Sequence, residues 1–231
     1  RFQEGEMVSQ ESIGHAFRFF GKLNRQRDDI REGLDIVASE GYPLLTDHIL
    51  AAKRRLRMVE EDERIEGLES CIQSLVDGMR RDLEKVTMNI ERAIKTDAVD
   101  NKVREECRCI SPSDFGLHNA IKVGKNIKFI DFEFAGWDDA AKTLCDFVMQ
   151  PRVPVGRDWR GLLDMLPNEH RPYIEKRARI VAPLHYIKWR CMITSCLSSS
   201  RYQDIGLMLG TKDRERIISY QMEVLRRFEA K

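Results

Sequence analysis

Residues 111–146 read SPSDFGLHNAIKVGKNIKFIDFEFAGWDDAAKTLCD, and the fold is decided by how this stretch is read. The β-prone runs 119–123 and 127–132 flank Gly124-Lys125-Asn126, which predicts a β-hairpin closed by a short, glycine-containing turn. Polar residues stand at both mouths of that hairpin: Asp114 and Asn119 before it, Asp131 and Glu133 after it. A small rigid sheet with carboxylates and an amide at its ends suits a site for metal and phosphate.

Outward from the hairpin, almost everything has helical periodicity. Ser9 or Ser12 can cap a first helix in which Ile13, Ala16, Phe17, Phe20 and Leu23 form an apolar stripe. A short second helix is predicted over 29–39, stopped by Gly41-Tyr42-Pro43. Thr46 or Asp47 caps a third helix to about residue 63, with Ile49, Leu50, Leu56 and Val59 facing inward. Leu68, Ile72, Leu75, Val76, Met79, Leu83, Val86, Ile90 and Ile94 then keep steps of 3 and 4 along a long amphipathic helix. These two helices predict a helical hairpin over about 46–95, packed on its own domain or, alternatively, serving as a dimer interface. Downstream, 137–149 reads as a loop entering a helix and 159–165 as a short helix. A longer helix over 169–198 should be kinked or split by Pro183; Ser198-Ser199-Ser200 marks a loop, and a last helix covers 212–230.

Composition removes several classes of function. Lys plus Arg number 39 and Asp plus Glu 38, a formal net charge of +1, so the basic excess of a nucleic-acid binder is missing. Lys53-Arg54-Arg55-Leu56-Arg57 is followed by Glu60-Glu61-Asp62-Glu63, the pattern of a solvated helix face with i,i+4 pairing. Cys107 and Cys109 are the only close pair among six cysteines and lack a second pair at zinc spacing, so reduced structural thiols are expected. No apolar run approaches the ~18 residues of a membrane span and no signal peptide is visible. The expectation is a soluble cytoplasmic protein that binds neither membrane nor nucleic acid, as monomer or homodimer.

The polar residues of the hairpin have a chemical reading. Moving a terminal phosphoryl group takes a carboxylate near the acceptor hydroxyl, divalent metal on the phosphate oxygens, and rigid presentation of both. Protein kinases use an Asp followed five residues later by an Asn, then a hairpin leading to a second, metal-binding Asp. Here Asn119 follows Asp114 by five residues, and Asp131 stands across the hairpin in Phe129-Ile130-Asp131-Phe132.

In these residues the chain resembles the aminoglycoside phosphotransferase and choline kinase superfamily, which has a protein-kinase-like fold. The family pattern runs His-Gly-Asp-Leu-His-x-Gly-Asn, a hairpin, then hydrophobic-Ile-Asp-Phe-Glu-x-Ala-Gly-x-x-Asp-Pro-Ala. This chain has Pro112-Ser113-Asp114-Phe115-Gly116-Leu117-His118-Asn119, then Ile130-Asp131-Phe132-Glu133-Phe134-Ala135-Gly136-Trp137-Asp138-Asp139-Ala140-Ala141. It departs at Pro112 and Ser113, where the family has His-Gly, at His118 in place of Gly, and at Ala140 in place of Pro. The resemblance covers about forty residues. It implies a small-molecule phosphotransferase that moves the γ-phosphate of ATP or GTP to a substrate hydroxyl with Mg2+. Asp114 would be the catalytic base, and Asn119 and Asp131 the magnesium and nucleotide-phosphate ligands.

The expected fold is therefore mainly α with a small β-hairpin: the C-terminal lobe of a kinase-like fold with a long inserted helical hairpin. Helices fill 1–110, the catalytic loop and metal segment 111–150, and C-terminal helices 151–231. A glycine-rich phosphate loop and its partner Lys are not found before residue 111, and the chain opens on Arg1 without Met, so it reads as a lobe or fragment lacking the nucleotide-clamping lobe. The alternative is a non-catalytic kinase-like binding or scaffold module. A cationic acceptor would want Glu133, Asp138 or Asp139 beside it, and a quaternary amine an aromatic cage, for which Trp137, Tyr186 and Trp189 are candidates.

Overall fold

Ser9 caps α1 (Gln10–Asn24) by accepting a hydrogen bond from the Ser12 amide, as its position predicts. In the computed structural model, which describes residues 1–231 except 4, 28, 30–32, 34, 125, 199, 200 and 231, this helix buries Ile13, Ala16 and Phe20. Its aromatic residues hold the segment around the hairpin: Phe19 stacks on Phe129 at 4.4 Å and Phe20 on Phe115 at 5.8 Å. At its C-terminal end the buried Asn24 side chain both donates to Ile110 O and accepts from Ile110 N. One helix thus fixes both the strand entering the Asp114 loop and the hairpin leaving it.

The helix expected over 29–39 lies partly outside the described residues, and the remainder is not helical. Residues 36–39 run alongside the later strand β4 (Gly136–Asp139): Trp137 N donates to Ile36 O at 2.8 Å and Ala38 N to Trp137 O at 3.0 Å. Gly136 makes this possible, because a Cβ there would stand 2.6 Å from both Ala38 N and Ile36 O. The backbone of 36–39 therefore acts as a strap over β4.

α2 (Leu45–Glu61) starts with Asp47 accepting from the Leu44 amide. Ile49, Leu56 and Val59 face inward as expected, but Leu50 is 62% exposed, because it falls off the stripe those residues share with Leu45 and Ala52. The i,i+4 pairing expected along this helix does not form. Arg55 reaches back to Glu40, and Glu60 pairs with Arg80 of α3 (Glu69–Lys95). α3 buries Ile72, Val76, Met79, Leu83 and Ile90 against α2 and α6 (Arg171–Ser195).

α6 is the central helix and touches α2, α3, α4 (Ala140–Met149) and α8 (Arg214–Glu229). It runs through Pro183 without splitting; burial between neighbours outweighs the lost backbone hydrogen bond, which costs about 3 kcal/mol in an isolated helix. α5 (Arg160–Leu163) is a single turn. α7 (Tyr202–Leu209), ended by Gly210 at φ +63°, was not expected after the serine run.

β1 (Arg108–Ser111) pairs antiparallel with β4, placing Ile110 opposite Trp137, and β2 (Ala120–Val123) pairs with β3 (Asn126–Phe129) as the expected hairpin. The β1–β4 pair is new: 137–139 is strand rather than loop. The fold is mainly helical with these two small sheets. One hydrophobic core runs from Phe2 to Phe228 and includes Cys107, Cys109, Cys145 and Cys191 as free thiols. Among the described residues, no helix is long and apolar enough to cross a membrane.

Candidate active site

The loop between β1 and β2 holds Asp114 at its apex. Its backbone is set by Ser113, at φ +70°, whose hydroxyl donates to Ser39 O at 2.5 Å and whose amide donates to the buried Ser111 hydroxyl. Four described non-glycine residues have positive φ: Glu40, Asp97, Ser113 and Asp131. Three of them surround this loop, where backbone strain is retained when the neighbouring structure enforces it.

The Asp114 carboxylate is half exposed and accepts two hydrogen bonds, from His118 Nε2 at 3.1 Å and Asn119 Nδ2 at 3.1 Å. Partial burial pushes its pKa up, but the His118 contact and the Asn119 amide outweigh that and leave it lowered. The group is thus ionised at neutral pH and aimed by its two donors. Asn119 Nδ2 also donates to Asp114 O, so the amide nitrogen is spent within the loop and the amide oxygen remains as the available ligand atom. Asn119 O accepts from Ile130 N at 3.0 Å, which ties Asn119 to the residue before Asp131. Asn119 and Asp131 therefore sit at the same end of the hairpin, and Asp131 is exposed.

Two oxygen ligands, one a carboxylate, suit a hard cation that completes its shell with water and phosphate oxygens. No group of three or more His, Cys, Asp or Glu that could hold a metal exists among the described residues, so an all-protein cage is not what this site offers. The residues present fit Mg2+ bound together with a phosphorylated substrate.

Of the acceptor-side expectations, Glu133 is exposed in the turn after β3. Trp137 and Asp138 need correction: both are buried in β4, because the β1–β4 pairing and the strap cover them. Asp138 accepts from the buried Lys142 ammonium at 2.7 Å, and burial pushes its pKa up to about 6 against the pull of that lysine. Lys142 also donates to Asp146 at 2.8 Å, whose carboxyl is held well below its usual range, against its burial, by Lys142 and Lys188. Asp139 caps α4 and takes Arg177 Nε at 2.5 Å, also buried.

A cleft of about 370 Å³ opens beside Asp114, and the other carboxylates and basic chains of its walls are Glu40, Arg55, Asp146, Arg152 and Lys188. None of these five was expected. Lys142 and Asp146 carried a legible signal, since Asp138, Lys142 and Asp146 recur at i,i+4 within an apolar segment, a spacing that forces burial of paired charges.

No protein-family model matches the chain, and no curated protein matches it. Solved structures do. A choline/ethanolamine kinase family protein from Mesorhizobium loti superposes with a TM-score of 0.51 at 14% identity, over 96% of this chain and 62% of that one. The fold is kinase-like. An ethanolamine kinase from Plasmodium vivax (TM-score 0.48, 15% identity) and a choline kinase from Cryptosporidium parvum (0.47, 13%) align over 99% of this chain and over 63% and 66% of theirs. The chain thus spans less than two thirds of the length of each, and at these identities the likeness is one of fold.

Proposed function

We propose that the chain carries the acceptor-activating and metal-binding part of a small-molecule phosphotransferase that moves the γ-phosphate of ATP or GTP to a hydroxyl with Mg2+. The observation that carries this reading is the hydrogen-bonded pair Asp114–Asn119, with Asn119 tied through Ile130 to Asp131. A scaffold has no need of a strained loop that holds a carboxylate half exposed between two donors.

On this reading the acceptor hydroxyl donates to the Asp114 carboxylate, which orients its lone pair toward the γ-phosphorus and takes its proton as the new O–P bond forms. The bond from γ-phosphorus to the bridging oxygen breaks, and nucleoside diphosphate leaves. Asn119 through its amide oxygen and Asp131 through its carboxylate would hold Mg2+, which supplies charge neutralisation on the phosphate oxygens. His118 keeps Asp114 in place, and Ser113 keeps the loop on Ser39.

The test is magnesium-dependent nucleotide turnover by the full-length protein across hydroxyl acceptors. Asp114→Asn is expected to lower kcat by about 10²–10⁴-fold with the thermal midpoint preserved. Unchanged turnover would remove Asp114 from the base role, and failure of the wild type to bind nucleotide and magnesium would favour a binding module.

A further inference from the structure

Ser39 bridges the two segments that carry the site. Its carbonyl accepts from the hydroxyl of Ser113, the residue before Asp114, at 2.5 Å. Its amide donates at 2.9 Å to the carbonyl of Phe134, three residues after Asp131. That turn is closed on itself by Ala135 N donating to Phe132 O at 3.0 Å. Asp131, at φ +69°, is therefore bracketed by two tethers: Ile130 to Asn119 on one side and Phe134 to Ser39 on the other. The second tether is supplied by the 36–39 strap, which lies more than seventy residues upstream.

Apolar packing does little to hold this strap down. Ile36 and Val37 are more than half exposed, and only Ala38 of residues 36–39 is buried. Backbone bonds to Trp137 secure one end. The other end is secured by Glu40, which accepts from Arg55 of α2 at 2.5 Å and from Lys188 of α6 at 2.7 Å. These two helices pack against each other, so Glu40 fastens the strap to the helical body of the molecule. Glu40 does this at φ +57°, a backbone conformation that glycine takes at less cost. The residue found there supplies instead a carboxylate with two partners, and those partners enforce the strained backbone.

We propose that Glu40 is a positioning residue for phosphoryl transfer. Anchored by Arg55 and Lys188, it holds the strap in place, and through Ser39 it fixes the Asp114 loop against the turn that follows Asp131. The base and the metal carboxylate are thereby kept at one separation. Its part in transfer rests on the phosphotransferase reading; the clamp itself does not. Glu40 also lines the cleft, so the rival reading is a direct hold on the acceptor, and Ser113 separates the two.

The clamp is measured first, by hydrogen exchange of the Ser39 amide in the full-length protein. Glu40→Gln is expected to speed that exchange at least about tenfold while amides within α3 keep their wild-type rates. Arg55→Gln, which removes one of the two cations, should act in the same sense more weakly, and it carries the test if Glu40→Gln fails to fold. Unchanged protection of Ser39 overturns the proposal. Turnover across hydroxyl acceptors follows. Glu40→Gln and Ser113→Ala should each lower kcat by about 10- to 100-fold, the cost of a small misplacement at the reacting centre, with acceptor KM held within about threefold. The double variant should fall no further than the worse single, because both changes break one tether. Effects that multiply, or a raised acceptor KM with kcat kept, assign Glu40 to the acceptor and overturn the clamp's role. Lost Ser39 protection in a protein that phosphorylates no acceptor sinks the phosphotransferase while the clamp stands. Full turnover by Glu40→Gln with that protection lost sinks the positioning role while the phosphotransferase stands.

Discussion

Gly116 allows His118 to reach Asp114: a Cβ at position 116 would stand 2.5 Å from His118 Nδ1. Gly116→Ala is therefore expected to push the imidazole off the carboxylate. Turnover should fall by up to about 100-fold, as a small misplacement at the reacting centre does, with a much smaller change in thermal midpoint; kcat and melting measured side by side check this. At Asp131 the expected effect is on metal. On the phosphotransferase reading, Asp131→Ala removes the carboxylate proposed to hold magnesium and should raise the magnesium concentration for half-maximal turnover by at least about tenfold, since even outer-shell partners of metal sites are worth 10–100-fold. That Asp114, Asn119 and Asp131 lie together was legible in the sequence because their spacing reflects one local structure, a loop feeding a hairpin. Trp137 and Asp138 could not be placed, because their burial depends on β1 and on residues 36–39, both distant in sequence.

α6 carries Arg177 into the core, where it meets Asp139 at the start of α4 and donates to the carbonyls of Asp100 and Asn101. Arg177→Met leaves that carboxylate buried and unpaired, and should cost about 3–5 kcal/mol in urea unfolding; adding Asp139→Asn should recover part of it. The strap over β4 gives a milder case. Gly136→Ala forces backbone apart at 36–38 and should destabilise by roughly 1–3 kcal/mol, while loosening Glu40 from Lys188; a gain of amide exchange confined to 36–41 would report it. Periodicity revealed α3, whose stripe holds for 27 residues. It misplaced Leu50 and missed α7, because a short helix after a serine run carries too few turns for a stripe to show.

Over the whole molecule the buried ionisable groups set a pH response in which opposing effects cancel. Burial, opposed by Asp139, lowers His48 to about 4 from 6.5, so the unfolded chain takes up this proton first and stability is lost as pH falls from 6.5 to 4; His185 is shifted in the same sense. Asp138 acts oppositely: raised from 3.8 to about 6, it favours the folded state at low pH, and that contribution is lost as pH rises from 4 to 6. Each is worth on the order of 3 kcal/mol at most. The wild type should accordingly show a shallow stability profile between pH 4 and 6. Asp138→Asn is expected to expose a loss on acidification, and His48→Gln to remove much of it, both read by urea unfolding across that range. Below about 4.5 the chain should lose stability steadily, as Glu40, whose paired carboxyl is lowered to about 2 despite its burial, begins to bind protons in the unfolded state.

The long helices, the hairpin and the three polar residues at its ends were legible in the chain, because each depends on contacts within a few residues or on one repeating period. The cleft was not. Glu40 and Lys188 are 148 residues apart, and Arg55 joins them from a helix face that reads as solvated. Which charges neutralise one another depends on how close distant elements come and how dry they leave one another, and only the packed fold sets that.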